Sequence, residues 1–214
     1  MTTDTPATAM PRSLFMLSVL YGGLVCMAGV LGTKVMAVGP LAVESGIIAF
    51  LPLVAISSAI AEMFGRDVAN RLVRFGFIPL IVSMILIRLV ILLPPAPFWD
   101  KQAEFAMLLG QSSRMMLAGL IAYGISQTLN VTIFTAMTRR QGRLLWLRAL
   151  VASVSSQVVD SVLFITIAFL GVFPIAPILE GQIISKIVLS AVVVPPLIYL
   201  LMALARRIDA GSKA

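Results

Sequence analysis

Long apolar segments separated by short connections constrain this chain more than any other feature. Each segment is long enough to cross a bilayer, because a helix spans the hydrocarbon core with about 20 apolar residues. The sequence predicts six spans, at about residues 13–31, 45–64, 68–93, 105–137, 144–170 and 179–205. These spans occupy most of the 214 residues, so we expect no separate soluble domain.

The composition agrees with a protein that is solvated by lipid. Hydrophobic residues make up 60% of the chain and charged residues 12%, whereas a soluble domain has roughly a quarter of its residues charged. The mean hydropathy is +1.06. We therefore predict an all-α, polytopic membrane protein of six transmembrane helices. It would consist of a cytoplasmic tail at 1–12, one transmembrane domain at 13–206 and a second cytoplasmic tail at 207–214.

The basic residues predict the topology. The chain has 16 Lys and Arg against 9 Asp and Glu, a net charge of +7. Alternate connections place two lysines on one side, Lys34 and Lys101, and eleven basic residues on the other: Arg12, Arg66, Arg71, Arg74, Arg139, Arg140, Arg143, Arg148, Arg206, Arg207 and Lys213. The positive-inside rule then places both termini in the cytoplasm of a bacterial inner membrane. Arginines scattered between spans argue against a nucleic-acid partner.

Several chemistries are disfavoured by the residues that the sequence lacks. There is no histidine, and Cys26 is the single cysteine. A zinc, haem or iron–sulfur site would need such ligands, as would Ser-His-Asp or Cys-His catalysis. The sequence also has no GxxxxGK[ST] loop for a nucleotide. We therefore expect no cofactor, no metal and no enzymatic activity, and an intramembrane enzyme stays an alternative to be tested by substrate turnover in sealed vesicles.

Ionisable residues inside the predicted spans indicate a functional site. Such groups cost at least a few kcal/mol in hydrocarbon and usually face a cavity or a partner. Asp160 lies near the middle of the fifth span, with Gln157 one turn earlier and Ser153 and Ser156 on the same face. An ion pair with Lys186 of the sixth span would lower the cost of both charges. A purely structural ion pair, or polar contacts between helices, would also explain this pattern.

Other polar residues extend this pattern to the second and fourth spans. Gln127 and Asn130 are three residues apart in the fourth span. Arg114 in that span either faces the site or snorkels to the outer headgroups. Glu62 either faces the site or pairs with Arg66 at i+4. The pattern predicts a small polar cavity between the second, fourth, fifth and sixth spans. It would bind one small polar molecule through Glu62, Arg114, Gln127, Asn130, Gln157, Asp160 and Lys186.

Four features occur in the order and at the spacing of a known family. They are SSAIAEMFGRDVANRLVRFG at 57–76, SRMMLAGLIAYGISQTLNVTIF at 113–134, LWLRALVASVSSQVVDSVLFITIAFLG at 145–171, and Lys186. Together they resemble the queuosine precursor transporter family, also called the vitamin uptake transporter family. The resemblance covers about residues 33–199, and its third stretch is the most specific.

The resemblance implies a fold and an activity. The fold would be similar to the substrate-binding component of energy-coupling-factor transporters. The activity would be import of 7-cyano- and 7-aminomethyl-7-deazaguanine without a dedicated ATPase subunit. Two positions depart from the family pattern, because Ser58 and Asn130 stand where aspartates are usual. The positions that match the family are Glu62, Arg114, Gln127, Gln157, Asp160 and Lys186.

The chemistry of a deazaguanine fits these residue types. Its N1–H and exocyclic amine lie side by side, so one carboxylate, from Asp160 or Glu62, can accept both, as protein groups do when they read a base edge. The amides of Gln127, Asn130 and Gln157 would complete the set of hydrogen bonds. An aromatic ring, from Phe134 or Phe164, would stack on the base.

The sequence leaves open whether the protein docks on an ATP-driven partner and whether it forms a homodimer. The alternative function is a substrate-capture subunit for another vitamin-like molecule, which docks on a shared ATP-driven complex. Such subunits present grooves of small residues, and Ala118-Gly119 with Ala122 is a weak version. The apolar outer faces of the spans would also allow a homodimer.

Overall fold

The computed structural model describes residues 10–32, 34–38, 41–110, 113–137, 144–171 and 175–211. In this part of the chain there are seven helices and one β-hairpin. The helices are α1 (Arg12–Leu31), α2 (Ile47–Phe64), α3 (Arg66–Leu92), α4 (Gln102–Leu109), α5 (Ser113–Ala136), α6 (Leu145–Phe169) and α7 (Ile175–Ala210). The hairpin joins β1 (Val35–Val38) to β2 (Leu41–Glu44).

Six of the described helices are long and apolar enough to cross a membrane: α1, α2, α3, α5, α6 and α7. The predicted number of spans is therefore confirmed, and the protein is a multi-pass membrane protein. A bilayer favours this architecture because each helix satisfies its own backbone hydrogen bonds in a solvent that offers none.

The predicted fourth span differs from the structure at its start. The prediction treats residues 105–137 as one span, but α4 ends before Gly110 and α5 begins at Ser113. The Gly110 N–H donates to the Ala106 carbonyl oxygen at 2.8 Å. A Cβ added at Gly110 would lie 2.3 Å from that oxygen, so the backbone there suits glycine alone. The sequence carries a signal for this break, because polar residues follow Gly110 at 111–114, and the prediction of one long span overlooked it.

The hairpin is a second feature that the all-α prediction did not contain. β1 and β2 pair antiparallel, with Val35 opposite Glu44 and Val38 opposite Leu41. Residues 39 and 40, between the two strands, lie outside the described part of the chain. The hairpin connects α1 to α2, and Ser45 N–H donates to the Lys34 carbonyl oxygen at 2.8 Å just beyond the last pair.

Helix α7 is longer than the predicted sixth span. It begins at Ile175, continues through Pro195 and Pro196, and ends at Ala210. Proline near the start of a helix removes no intrahelical hydrogen bond, so α7 accommodates Pro177 in its first turn. The predicted domain boundary at residue 206 falls within this helix.

The two ends of the described chain lie on one side of the bundle. The backbone N–H and hydroxyl of Ser13 donate to the carboxylate of Asp209 at 3.0 and 2.6 Å. We call this side the terminal half. The hairpin half contains the hairpin, the end of α1, the start of α2 and α4. Helix α2 runs between the two halves and packs against α1, α3, α5 and α7.

Candidate functional site

A cavity of about 410 Å³ lies in the hairpin half. Pockets of roughly 300–1,000 Å³ are typical of small-molecule sites. All seven described helices contribute to its wall, so α1 and α3 join the four spans that the sequence predicted. The lining is mainly apolar, with side chains such as Val25, Leu53, Leu80, Ile87 and Leu108. This wall is less polar than the predicted cavity.

The charged side chains that line the cavity, among the described residues, are Asp160 and Lys186. Asp160 Oδ2 lies 2.8 Å from Lys186 Nζ, and the two side chains are 8% and 7% exposed. Ser126 Oγ donates to the other oxygen of Asp160 at 3.2 Å. The ion pair anticipated from the sequence is thus present. Each charge offsets the desolvation penalty of the other, which is several kcal/mol per ion in a buried position.

Aromatic side chains surround this ion pair. Phe50 and Phe164 line the cavity, and Lys186 Nζ lies 5.5 Å from the centre of the Phe50 ring. Tyr123 also lines the cavity, and its hydroxyl donates to the hydroxyl of Tyr21. The Phe50 ring meets the Tyr123 ring edge-on, with centroids 5.7 Å apart. The cavity can therefore offer flat apolar faces beside one positive and one negative group.

An amide layer, formed by Ser57, Ser58, Gln127 and Asn130, lies next to the cavity toward the terminal half. Asn130 Nδ2 donates to Ser57 Oγ at 3.0 Å and to Ser58 Oγ at 3.2 Å. Ser57 Oγ lies 3.3 Å from Gln127 Oε1. Ser58 and Asn130 are the two positions where the resemblance expects acids. Because they touch each other, the two departures from the family pattern belong to one contact.

Some buried polar atoms near this layer have no hydrogen-bond partner within the described residues. They include both amide atoms of Gln157, Gln127 Nε2 and Asn130 Oδ1. A buried polar group without a partner costs about 1–3 kcal/mol, and proteins usually retain such groups for a reason.

A second ion pair lies further toward the terminal half. Arg148 Nη2 donates to Glu62 Oε2 at 2.6 Å, and the side chains are 2% and 29% exposed respectively. Arg148 Nε lies 3.3 Å from the Phe134 carbonyl oxygen, and its guanidinium lies 4.4 Å from the Phe134 ring centroid. Arginine suits this site because its planar group can pair and stack at once.

This second pair corrects three expectations. Arg148 was counted with the loop arginines, but it lies inside α6 and is buried. Glu62 pairs with Arg148 rather than with Arg66, whose guanidinium donates to Thr132 Oγ1 at 3.2 Å. Phe134 packs under Arg148 and is absent from the cavity lining. Sequence spacing could not reveal these contacts because the partners come from different helices.

The predicted binding residues therefore occupy different depths. Asp160 and Lys186 line the cavity, whereas Gln127, Asn130 and Gln157 are buried beside it. The side chain of Arg114, in the first turn of α5, lies outside the described part of the chain. The sequence did not nominate Tyr21, Phe50, Tyr123 or Ser126. Tyr123 could have been found from its position in the middle of the predicted fourth span. A tyrosine inside a transmembrane helix needs a hydrogen-bond partner.

Residues 44–201 of the chain match the family described as "Putative vitamin uptake transporter". The chain belongs to this family of transporters. The match includes both ion pairs and the amide layer, and α1 lies before it. A protein of Bacillus subtilis (strain 168) named "Probable queuosine precursor transporter" is 34% identical over 115 residues. That alignment covers 53% of this chain and 50% of the relative, so the chain matches about half the length of that protein. No solved structure matches the chain.

Proposed function

We propose that this family member imports the queuosine precursors 7-cyano- and 7-aminomethyl-7-deazaguanine across a bacterial inner membrane. The observation that supports this proposal best is the ion pair Asp160–Lys186 in the wall of an otherwise apolar cavity. A flat heteroaromatic base with one polar edge matches such a surface. The name of the Bacillus subtilis relative points to the same substrate class.

The base would replace the direct contact between Asp160 and Lys186 with hydrogen bonds to itself. Asp160 would accept hydrogen bonds from N1–H and the exocyclic amine, and Lys186 would donate to O6. Charge-assisted hydrogen bonds are roughly twice as strong as neutral ones. The rings of Phe50 and Phe164 would stack on the base, a contact worth about 1–3 kcal/mol per base. Asp160 is therefore our choice over Glu62, which Arg148 already occupies.

The basic residues and the two ends of the described chain support an orientation of the protein in the membrane. Without Arg148, ten basic residues remain on the side of the termini against two on the other. The Ser13–Asp209 contacts support a common side for both ends of the described chain. With the termini in the cytoplasm, the hairpin half faces outward and its cavity receives substrate from outside. The amide layer and the Glu62–Arg148 pair would then separate the bound base from the cytoplasm.

The experiment is uptake in cells that can neither make nor import queuosine precursors. Wild-type protein should restore queuosine in tRNA when either precursor is supplied. Asp160→Asn should lower uptake at least about tenfold, equivalent to about 1.4 kcal/mol, because an amide cannot accept both hydrogen bonds of the guanine edge. Asp100→Asn is the matched control, since that side chain is 82% exposed. Equal uptake by Asp160→Asn and wild type, at equal protein levels, would refute the assignment.

The alternative of a docking subunit for an ATP-driven complex gains no support from its sequence signal. Ala118 and Ala122 are 0% and 1% exposed, and Gly119 lines the cavity. These small residues therefore face the interior of the bundle, where a partner helix cannot reach them. A stoichiometric ATPase recovered with the protein in mild detergent would revive this alternative.

A further inference from the structure

The charges that the cavity can offer a substrate are balanced. The described residues that line it contribute one carboxylate, from Asp160, and one ammonium, from Lys186. Glu62, which is bound to Arg148 at 2.6 Å, and the exposed Glu180 of α7 are not part of that lining. The remaining wall is mainly apolar and cannot stabilise an additional charge. A substrate that carries a net charge would thus leave one charge unpaired.

The geometry of the base decides which charge would be unpaired. Asp160 Oδ2 and Lys186 Nζ are adjacent, 2.8 Å apart, as are N1–H and O6 on a 7-deazaguanine. When Asp160 accepts from N1–H, Lys186 lies beside O6. The substituent at C7 is on the same side of the base as O6, so it also lies near Lys186. An ammonium on that substituent would meet the ammonium of Lys186.

We propose that Lys186 makes this site selective for a deazaguanine with a neutral C7 substituent over one with a cationic substituent. This inference rests on the proposed function. A nitrile or hydroxyl near Lys186 can accept a hydrogen bond, which replaces part of the interaction that Lys186 loses when Asp160 turns to the base. An aminomethyl group is protonated at neutral pH and offers no acceptor. Like charges close together in a desolvated site repel strongly.

The first test compares three ligands on the purified full chain in nanodiscs, by isothermal titration calorimetry at pH 7. They are the 7-cyano, 7-hydroxymethyl and 7-aminomethyl forms of 7-deazaguanine. The hydroxymethyl form is neutral and close in shape to the aminomethyl form, so it separates charge from size. We expect the two neutral ligands to bind at least about tenfold more tightly than the cationic one, about 1.4 kcal/mol.

The second test changes Lys186 itself. Lys186→Gln removes the ammonium that would face a cationic C7 substituent and keeps a donor for O6. The aminomethyl ligand should gain at least about tenfold in affinity relative to the cyano ligand. A loss of packing alone would weaken all three ligands together and would not change their order. Lys101→Gln, at a side chain that is 61% exposed, should leave the order as in wild type.

The outcomes separate the inference from the proposed function. If wild-type protein binds none of the three ligands, the proposed function fails. If it binds all three equally, the selectivity is overturned while the function stands. Rejection of the hydroxymethyl form together with the aminomethyl form would mean that shape decides, which also overturns the role of Lys186. The wild-type comparison needs no variant to fold.

Discussion

The two halves of the bundle contain the same kind of interaction in opposite surroundings. In the hairpin half, Asp160 and Lys186 form an ion pair that borders open space. In the terminal half, Arg148 pairs with Glu62 while its guanidinium also stacks on Phe134 and contacts a backbone carbonyl. Each pair has an aromatic ring and a further hydrogen bond beside it, but the first pair borders the cavity and the second does not. In our proposal, the first pair therefore exchanges a partner for a ligand and the second does not. Burial and charge alone would not separate these roles, but the neighbours of each pair do.

The largest effect on stability should come from the pair in the terminal half. Arg148→Met leaves the Glu62 carboxylate without its partner, and breaking a buried pair from one side costs about 3–5 kcal/mol. Thermal unfolding of the purified protein in detergent measures this loss. Arg74→Met is the matched control, because Arg74 is exposed and donates to the Asn70 carbonyl oxygen of its own helix.

A double variant sharpens the same comparison. Glu62→Gln combined with Arg148→Met removes both charges, so it should recover a substantial part of the stability that Arg148→Met loses. If the double variant is as unstable as the sum of the single variants, the two residues act independently and the paired role of Arg148 is wrong.

A smaller effect, on uptake rather than on stability, should come from filling the cavity. Gly119 lines it, and a Cβ there would be 3.9 Å from Phe164, an ordinary contact. Gly119→Leu should therefore fold and occupy space that the base needs, lowering uptake about tenfold, or about 1.4 kcal/mol. Gly23→Leu is the control, since Gly23 lies in an exposed part of α1 with nothing within 4 Å. Normal uptake by Gly119→Leu would place the substrate elsewhere.

The smallest effect should come from the amide layer between the two halves. Ser58→Ala removes one acceptor of Asn130 Nδ2, which keeps Ser57 Oγ at 3.0 Å and the Val54 carbonyl at 3.4 Å. A single neutral hydrogen bond contributes about 0.5–1.5 kcal/mol, so thermal unfolding should show a loss near the lower end. A loss as large as that of Arg148→Met would mean that this layer, rather than the ion pair, holds the terminal half together.

Features that depend on a single segment were predictable from the sequence. The six spans follow from local hydrophobicity, and the pairing of Asp160 with Lys186 was anticipated because each charge needed a partner. The break at Gly110 was missed, although the polar residues at 111–114 that follow this glycine were a signal for it. The roles of Arg148 and Phe134 were misread because each was judged from its own segment.

By itself, the sequence determined that the chain crosses a membrane six times, that one side is rich in arginine, and that a few charges lie at membrane depth. Lipid imposes these properties on each segment separately, so they can be read locally. Only the tertiary structure decided that Glu62 meets Arg148, and it placed the anticipated pair of Asp160 and Lys186 beside a cavity. Glu62 and Arg148 are 86 residues apart, and Asp160 and Lys186 are 26 apart. The packing of helix faces determines such partners. It places Asp160 beside the cavity and Glu62 further toward the terminal half.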